Sequence, residues 1–291
     1  MLDQHYDRAA QDIGNIVNLG HVNVCISDQH LATHYYVTGL GLTRDPFLNT
    51  GAGNMWINVG MSQFHLPMGT PDRLRGTIGL VVPDRAALLA RLERVRKALR
   101  DTKFDFRESN DCVETVCPWG NRIDLHSPDV AQFGRIQLGM PYIRFDVRPG
   151  TAARIARFYR EVLQAPSAVT DNGAGPQARV QVGDRQYFYF CETDAPQPPY
   201  DRHHVQIYIA DFSGPYRRLK ELGILTAESG EYEYRFRDVI DLDSREVLFT
   251  VEHETRSQTN PMYGRPLVNR NPAQTNTDYK PGHDSMSWAL P

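Results

Sequence analysis

The chain has 291 residues, a formal net charge of −3 from 32 Lys+Arg and 35 Asp+Glu, and 41% hydrophobic residues. With a pI near 6.4, it lacks the basic footprint of a nucleic-acid binder, and it contains no run of about 18 apolar residues that would span a membrane. The length admits two domains at roughly 100–200 residues each. Cys25, Cys112, Cys117 and Cys191 show no CxxC spacing, and the leader MLDQHYDRAAQDIGN lacks the apolar core of a signal peptide, so a reduced, cytoplasmic setting is expected.

Taken in order, the chain reads as four attempts at one unit. After a polar leader to about Asn18 comes His21–Asp28, HVNVCISD, with the apolar alternation of a strand buried on one face. Asp28 is the candidate N-cap of a helix over Gln29–Leu40, ended by Gly39 and Gly41. Short strands follow around Thr43–Phe47, Asn54–Val59 and Gln63–Pro67, giving β-α-β-β-β. The plan repeats from Thr77–Asp84, TIGLVVPD, with a helix over Arg85–Arg100 and strands around Phe104–Glu108, Cys112–Val116 and Arg122–Leu125. A third copy opens at Tyr142–Pro149, YIRFDVRP. Its helix stripe is Ile155, Phe158, Tyr159, Val162 and Leu163, and strands near Ser167–Thr170, Gln177–Val182 and Gln186–Cys191 follow. The fourth opens at His204–Asp211, HVQIYIAD, and continues through a helix starting near Ser213 to strands around Tyr232–Val239 and Glu246–His253. The starts at 21, 77, 142 and 204 are spaced by 56, 65 and 62 residues, the length of one small supersecondary unit. Beyond about Arg256 both periodicities stop. The tail to Pro291 carries Tyr263, Leu267, Val268, Tyr279 and Trp288 as candidate anchors to the body.

The paired strand starts HVNVCISD and HVQIYIAD, the GLGL at 39–42 and the segment PWGNRIDLHSP together resemble the vicinal oxygen chelate superfamily, which includes glyoxalase I, extradiol ring-cleaving dioxygenases and bleomycin-binding proteins. The resemblance covers roughly residues 18–254. It implies an α+β fold of four tandem βαβββ modules forming two half-open β-barrel domains, 18–130 and 138–255, with an irregular tail over 256–291. It also implies metal ligands that point inward from the first and last strands of the units. On the first strands those positions fall on His21 and His204, with Thr77 and Tyr142 in the second and third units. On the last strands they fall on His65, Asp124 and, in the fourth unit, Leu248, with Glu252 four residues further on the same face.

Two imidazoles and a carboxylate suit non-haem Fe(II) with positions left open for substrate and oxygen. The expected metal site is therefore His21, His65 and Asp124, with His204 and Glu252 as the alternative and Tyr142 with His204 as proton-moving catalytic groups. The resemblance is greatest to two-domain extradiol dioxygenases. It implies a metal-dependent enzyme acting on a small aromatic or vicinal-oxygen substrate, with Fe(II) favoured and Zn, Ni, Co or Mn as alternatives. A glyoxalase-type isomerase or lyase that stabilises an enediolate without redox, and a non-catalytic binding protein, stay open, as does a homo-oligomer. The alternatives to the metal reading are residue by residue: pocket-lining histidines, and an Asp124 that pairs with an arginine. His30 and His34 form HxxxH without the glutamate of a zinc protease motif, and are expected to face solvent. His203 must point to the opposite face from His204.

Overall fold

The computed structural model describes residues 6–48 and 50–286. The first unit comprises β1 (Ile16–Asn23), α1 (Gln29–Ala32), which continues as a π-helix over Thr33–Gly39, β2 (Thr43–Arg44), β3 (Asn54–Val59) and β4 (Ser62–Pro67). The second comprises β5 (Gly76–Val81), α2 (Arg85–Val95), β6 (Asp105–Glu108), β7 (Val113–Val116) and β8 (Arg122–His126). A single turn of helix, α3 (Val130–Phe133), links it to the third unit: β9 (Gly139–Val147), α4 (Ala152–Val162), β10 (Ser167–Asp171), β11 (Pro176–Gly183) and β12 (Gln186–Glu192). The fourth comprises β13 (His204–Ile209), α5 (Ser213–Glu221), β14 (Leu225–Gly230), β15 (Glu233–Ile240) and β16 (Val247–Ser257).

The helix starts have local causes. Asp28 accepts from the backbone N–H groups of His30 and Leu31, and Asp84 accepts from Ala87, which satisfies donors that a first helical turn leaves free. Thr151 does not cap α4. Its hydroxyl donates to the Arg148 carbonyl, and Glu192 accepts the Ala152 N–H instead. The helix expected over Arg85–Arg100 ends as regular α-helix at Val95, although Leu99 stays buried in the turns that follow.

The architecture is α+β, with two eight-stranded mixed sheets that form two half-open barrels. The first has the order β14-β15-β16-β13-β1-β4-β3-β2, and the second β10-β11-β12-β9-β5-β8-β7-β6. Within each unit the first and last strands are parallel neighbours. Between units, β1 runs antiparallel to β13, and β5 antiparallel to β9. Each sheet therefore joins the outer pair of units or the inner pair, and not units one with two and three with four as the spans 18–130 and 138–255 would require. The physical reason lies in the connections. The short link through α3 brings β9 back beside β5, the usual fate of consecutive elements, which leaves β1 free until the fourth unit arrives. The helices pair the other way. The helix ending at Gly39 packs on α2, where a Cβ on Gly39 would lie 3.2 Å from Val95 Cγ2, and α4 meets α5.

β16 extends to Ser257, and the tail beyond it lies against the first sheet. Arg265 meets the fully buried Asp45 carboxylate at 2.7 Å, Asn58 donates to the Val268 carbonyl, and Asn269 both accepts from and donates to the Gly60 backbone. Tyr263 contributes a ring contact to Tyr208 at 4.9 Å. The tail is thus held mainly by polar contacts. Of the expected apolar anchors, Tyr279 is 58% exposed, and Trp288 lies outside the described residues. No described helix is long and apolar enough to cross a membrane.

Burial alone would raise the Asp45 pKa, but the bonds from Arg265, Leu48 and Phe47 hold it below the usual carboxylate range. Replacing Arg265 with methionine should cost about 1–3 kcal/mol in urea unfolding at pH 7, the usual range for a charge-assisted bond to a buried group. A depressed carboxylate stabilises above its unfolded pKa and loses that contribution as pH falls through its folded value. The difference between wild type and Arg265→Met should therefore shrink as pH drops below about 4.

Candidate metal centre

The concave face of the first sheet gathers histidines from three strands. Pairing of β1 with β13 sets His21 opposite Gln206 and Asn23 opposite His204. The flanking strands extend both rows, with His65 on β4 opposite Asn23 and Glu254 on β16 opposite Gln206. The four side chains occupy equivalent positions about a local two-fold relation. Each last-strand donor pairs with the residue two after the first-strand histidine. Because side chains alternate across a strand, all four share one face. His203 points the other way and meets Asp201 at 2.7 Å.

Donor atoms of His21, His65 and His204 lie within 4.8 Å of one another. Glu254 Oε2 is 3.8 Å from His21 Nε2 and 3.4 Å from His204 Nε2. The centre is enclosed: His21 and Glu254 are each 2% exposed. Neither His21 Nε2 nor His204 Nε2 has a hydrogen-bond partner. Buried imidazole nitrogens are normally satisfied, so two orphans turned toward one carboxylate fit a bound cation. His65 is different. Its Nε2 meets Asn54 Oδ1 at 2.9 Å, its Nδ1 meets the Asn23 amide at 2.7 Å, and its ring stacks on Trp56 at 3.9 Å. Those partners assign the proton to Nε2 and the lone pair to Nδ1.

Burial pushes the His21 pKa well below its ordinary value, against the pull of Glu254, and pushes His65 down to about 4. Both rings are neutral at pH 7, as ligation requires. Burial would raise the Glu254 pKa, but the guanidiniums of Arg256 and Arg235 hold it low. Arg235 reaches Glu254 at 2.6 Å and Glu252 at 2.8 Å, and Arg256 reaches Glu254 at 2.5 Å and Glu233 at 3.2 Å. Three carboxylates against two guanidiniums leave this surround net negative, which favours a cation.

The structure brings His21, His65 and His204 together, and it does not bring Asp124 or Tyr142 to them. Asp124 lies in the second sheet, where Tyr142 donates to its Oδ2 at 3.1 Å and Arg144 pairs with the same oxygen at 3.2 Å. The register that places His65 opposite Asn23 also places Asp124 opposite Gly79, two after Thr77. The position is equivalent, but in the other barrel, because unit two pairs with unit three. Tyr142, expected as a catalytic neighbour of the ion, shares that second barrel. The register position equivalent to that of His65 is held by Glu254 and not by the expected Glu252. Glu252 sits opposite His204 and is held by Arg235, with its carboxylate 4.0 Å from His204 Nδ1. A fixed offset of 44 residues from the first-strand histidine falls on Leu248, whereas β16 is reached after longer connections and the true separation is 50. Parity alone keeps 248, 252 and 254 on one face, and pairing chooses among them. His30 and His34 meet each other at 3.3 Å on the surface, as a solvent-facing pair.

No protein-family model matches the sequence, and no curated protein matches it. Solved structures do match. Glyoxalase I from Zea mays superposes with a TM-score of 0.57 at 13% identity, covering 83% of this chain and 92% of that one. A putative dioxygenase from Bacillus subtilis gives a TM-score of 0.55 at 13% identity, covering 85% and 87%. The cppA protein from Streptococcus pneumoniae gives 0.50 at 10% identity, covering 84% and 99%.

A histidine held neutral in the fold destabilises it as pH falls from its unfolded pKa toward its folded one, because the unfolded chain takes the proton first. Metal-free protein should lose stability between about pH 6.5 and pH 4, at up to ~1.4 kcal/mol per pH unit for each such histidine. Urea unfolding of His65→Asn over that range should show a shallower slope, and an unchanged slope would mean that His65 is not held neutral.

Proposed function

We propose, on the premise that this chain has the four-module fold of the vicinal oxygen chelate superfamily, that it is a metal-dependent enzyme of the ring-cleaving dioxygenase type, using Fe(II) held by His21, His204 and Glu254. The observation that carries this reading is the contrast among the histidines. The two with unsatisfied Nε2 atoms converge on Glu254, while both nitrogens of His65 are already engaged. Two imidazoles and one carboxylate are the set associated with non-haem Fe(II) oxygenases. On a six-coordinate ion they leave three positions, as many as a two-oxygen chelate and dioxygen together require.

The ion, when bound, would supply Lewis acidity toward two adjacent substrate oxygens and redox access to dioxygen. The protein's own groups do the rest. His65, neutral at pH 7, accepts a proton from a substrate hydroxyl at Nδ1 once the Asn23 amide gives way, and its Nε2–H bond to Asn54 steadies the ring as charge develops. Trp56, stacked on His65 and edge-on to His21 at 5.1 Å, holds the two imidazoles in place. Arg235 and Arg256 keep Glu254 ionised and aimed at His21 and His204. The enclosed position keeps bulk water from the reacting groups.

A second reading follows from the placement of His65 within 4.8 Å of the other two imidazoles. If it turns from Asn23 to become a fourth donor, two positions remain. That is enough for a vicinal-oxygen chelate without dioxygen, and the chemistry becomes proton transfer of glyoxalase type.

Elemental analysis and oxygen uptake with a catechol separate the two. On the dioxygenase reading, His21→Ala, His204→Ala and Glu254→Gln each lose the metal. His65→Gln keeps iron yet lowers turnover by about 10²–10⁴-fold, the usual range for a general acid–base group. Loss of metal from His65→Gln, with zinc or nickel in the wild type and no oxygen uptake, supports the isomerase reading. A wild-type protein that holds no divalent ion after purification without chelator overturns both.

A further inference from the structure

The second barrel holds a cavity of about 1380 Å³, above the roughly 300–1,000 Å³ usual for small-molecule sites. Its floor is the counterpart of the metal centre. The pairing rule that yields His21, His65, His204 and Glu254 in the first sheet yields Thr77, Asp124, Tyr142 and Tyr189 in the second. Asp124 lies opposite Gly79, two after Thr77, and Tyr189 lies opposite Arg144, two after Tyr142. None of these four is an imidazole. The single carboxylate already accepts from Tyr142 and Arg144 through one oxygen, so the floor has no set that holds a dication. It is nonetheless built. Gly79 lacks a Cβ where one would sit 2.3 Å from the Tyr142 ring, so the phenol lies across β5 and its hydroxyl meets His126 at 2.8 Å as well as Asp124.

We infer that this cavity is a second, metal-independent binding site for a small aromatic carboxylate. The anion-binding group is Arg144. Its side chain is 41% exposed, and it spends only one terminal nitrogen on Asp124 and the Tyr142 hydroxyl. The remaining N–H groups of the guanidinium fork have no protein acceptor among the described residues, and they border the cavity. Of the other arginines that line it, Arg107 and Arg122 are matched by Glu114 at 2.6 Å and Asp146 at 2.7 Å, and Arg185 stands on the exposed turn between β11 and β12; the lining also carries Asp105, Asp111 and Asp129. The aromatic half of the ligand is read by Tyr187 and Tyr189, whose rings lie 5.9 Å apart at 36°, while the buried Tyr142 ring meets Tyr189 edge-on at 5.9 Å and backs them. A planar ring stacks on such a wall, and a carboxylate on that ring reaches the Arg144 fork.

The probes are benzoate, cyclohexanecarboxylate (the acid without the aromatic ring) and phenol (the ring without the acid), titrated calorimetrically into the full-length protein. Benzoate should bind saturably at one site, about tenfold more tightly than either control. Arg144→Gln should weaken benzoate by about tenfold or more, as loss of a charge-assisted bond does, and leave phenol unchanged. Tyr189→Leu leaves the Arg144–Asp124 pair in place, so it tests the wall even if Arg144→Gln melts early. It should weaken benzoate and spare cyclohexanecarboxylate. His21→Ala should bind benzoate as the wild type does, whatever its effect on metal or turnover. No saturable benzoate binding, full benzoate affinity in both Arg144→Gln and Tyr189→Leu, or benzoate binding lost in His21→Ala would each overturn the inference. The last outcome would place the ligand at the metal centre instead.

Discussion

The antiparallel pairing of β1 with β13 is the contact on which the rest depends. It joins Ile16–Asn23 to His204–Ile209 and makes one sheet from the first and fourth units. It also decides which side chains share a face. His21 faces Gln206 and Asn23 faces His204, so that each flanking parallel strand delivers its own donor into the same two rows. A slip of one residue would turn the histidines of one strand to the opposite face, where His203 and His253 are already packed among aromatic rings. The fully apolar partners Val22, Val205 and Ile207 on that opposite face are what fix the register. Hydrophobic burial on one face thus sets the register on which the geometry of the polar site depends.

Much of this was legible in the sequence, and the limits have physical causes. The fourfold repeat, its β-α-β-β-β content and the caps Asp28 and Asp84 follow from local pattern, which a strand or a helix start carries within a few residues. His21, His65 and His204 were legible because a ligand-type residue at a strand position keeps its parity. Two things were not legible. Which unit pairs with which is a long-range choice. The β-α-β-β-β pattern is the same whether unit one meets unit two or unit four, and so it does not tell that Asp124 belongs to the second sheet and not to the first. The identity of Glu254 against Glu252 depends on a register that no interval along the chain records. The usable signal is the pairing rule itself: the inward residue of the last strand lies opposite the residue two after the inward residue that opens the first strand, His21, Thr77, Tyr142 or His204, in all four units.

The two barrels show how one scaffold can be spent in two ways. Equivalent positions carry three imidazoles and a carboxylate in one, and a threonine, an aspartate and two tyrosines in the other. The backbone geometry is shared, so the difference in chemistry comes from side chains alone. The tail packs on the first barrel through Arg265 and Tyr263, and His21 and Glu254 in that barrel are each 2% exposed. The second is open, its floor groups satisfy one another, and its walls are aromatic. A closed polar centre suits chemistry that water would interrupt, and an open aromatic one suits reversible capture.

The crossed pattern, with sheets joining outer and inner units while helices join neighbours, has a consequence for how the molecule comes into being. His21 and Glu254 are separated by 233 residues along the chain (254 − 21), and no shorter segment contains both. As the polypeptide emerges from the ribosome, the inner sheet can close once the third unit is out, but β1 must wait with one edge unpaired until the fourth is made. Contacts of such sequence separation are slow to form, because the loop between them must be closed before they yield any stability. An exposed strand edge is in the meantime open to pairing with a neighbouring chain. The fourth module is therefore the one that shields the first, and an ion held by His21, His204 and Glu254, as proposed, would need a chain whose translation has passed residue 254.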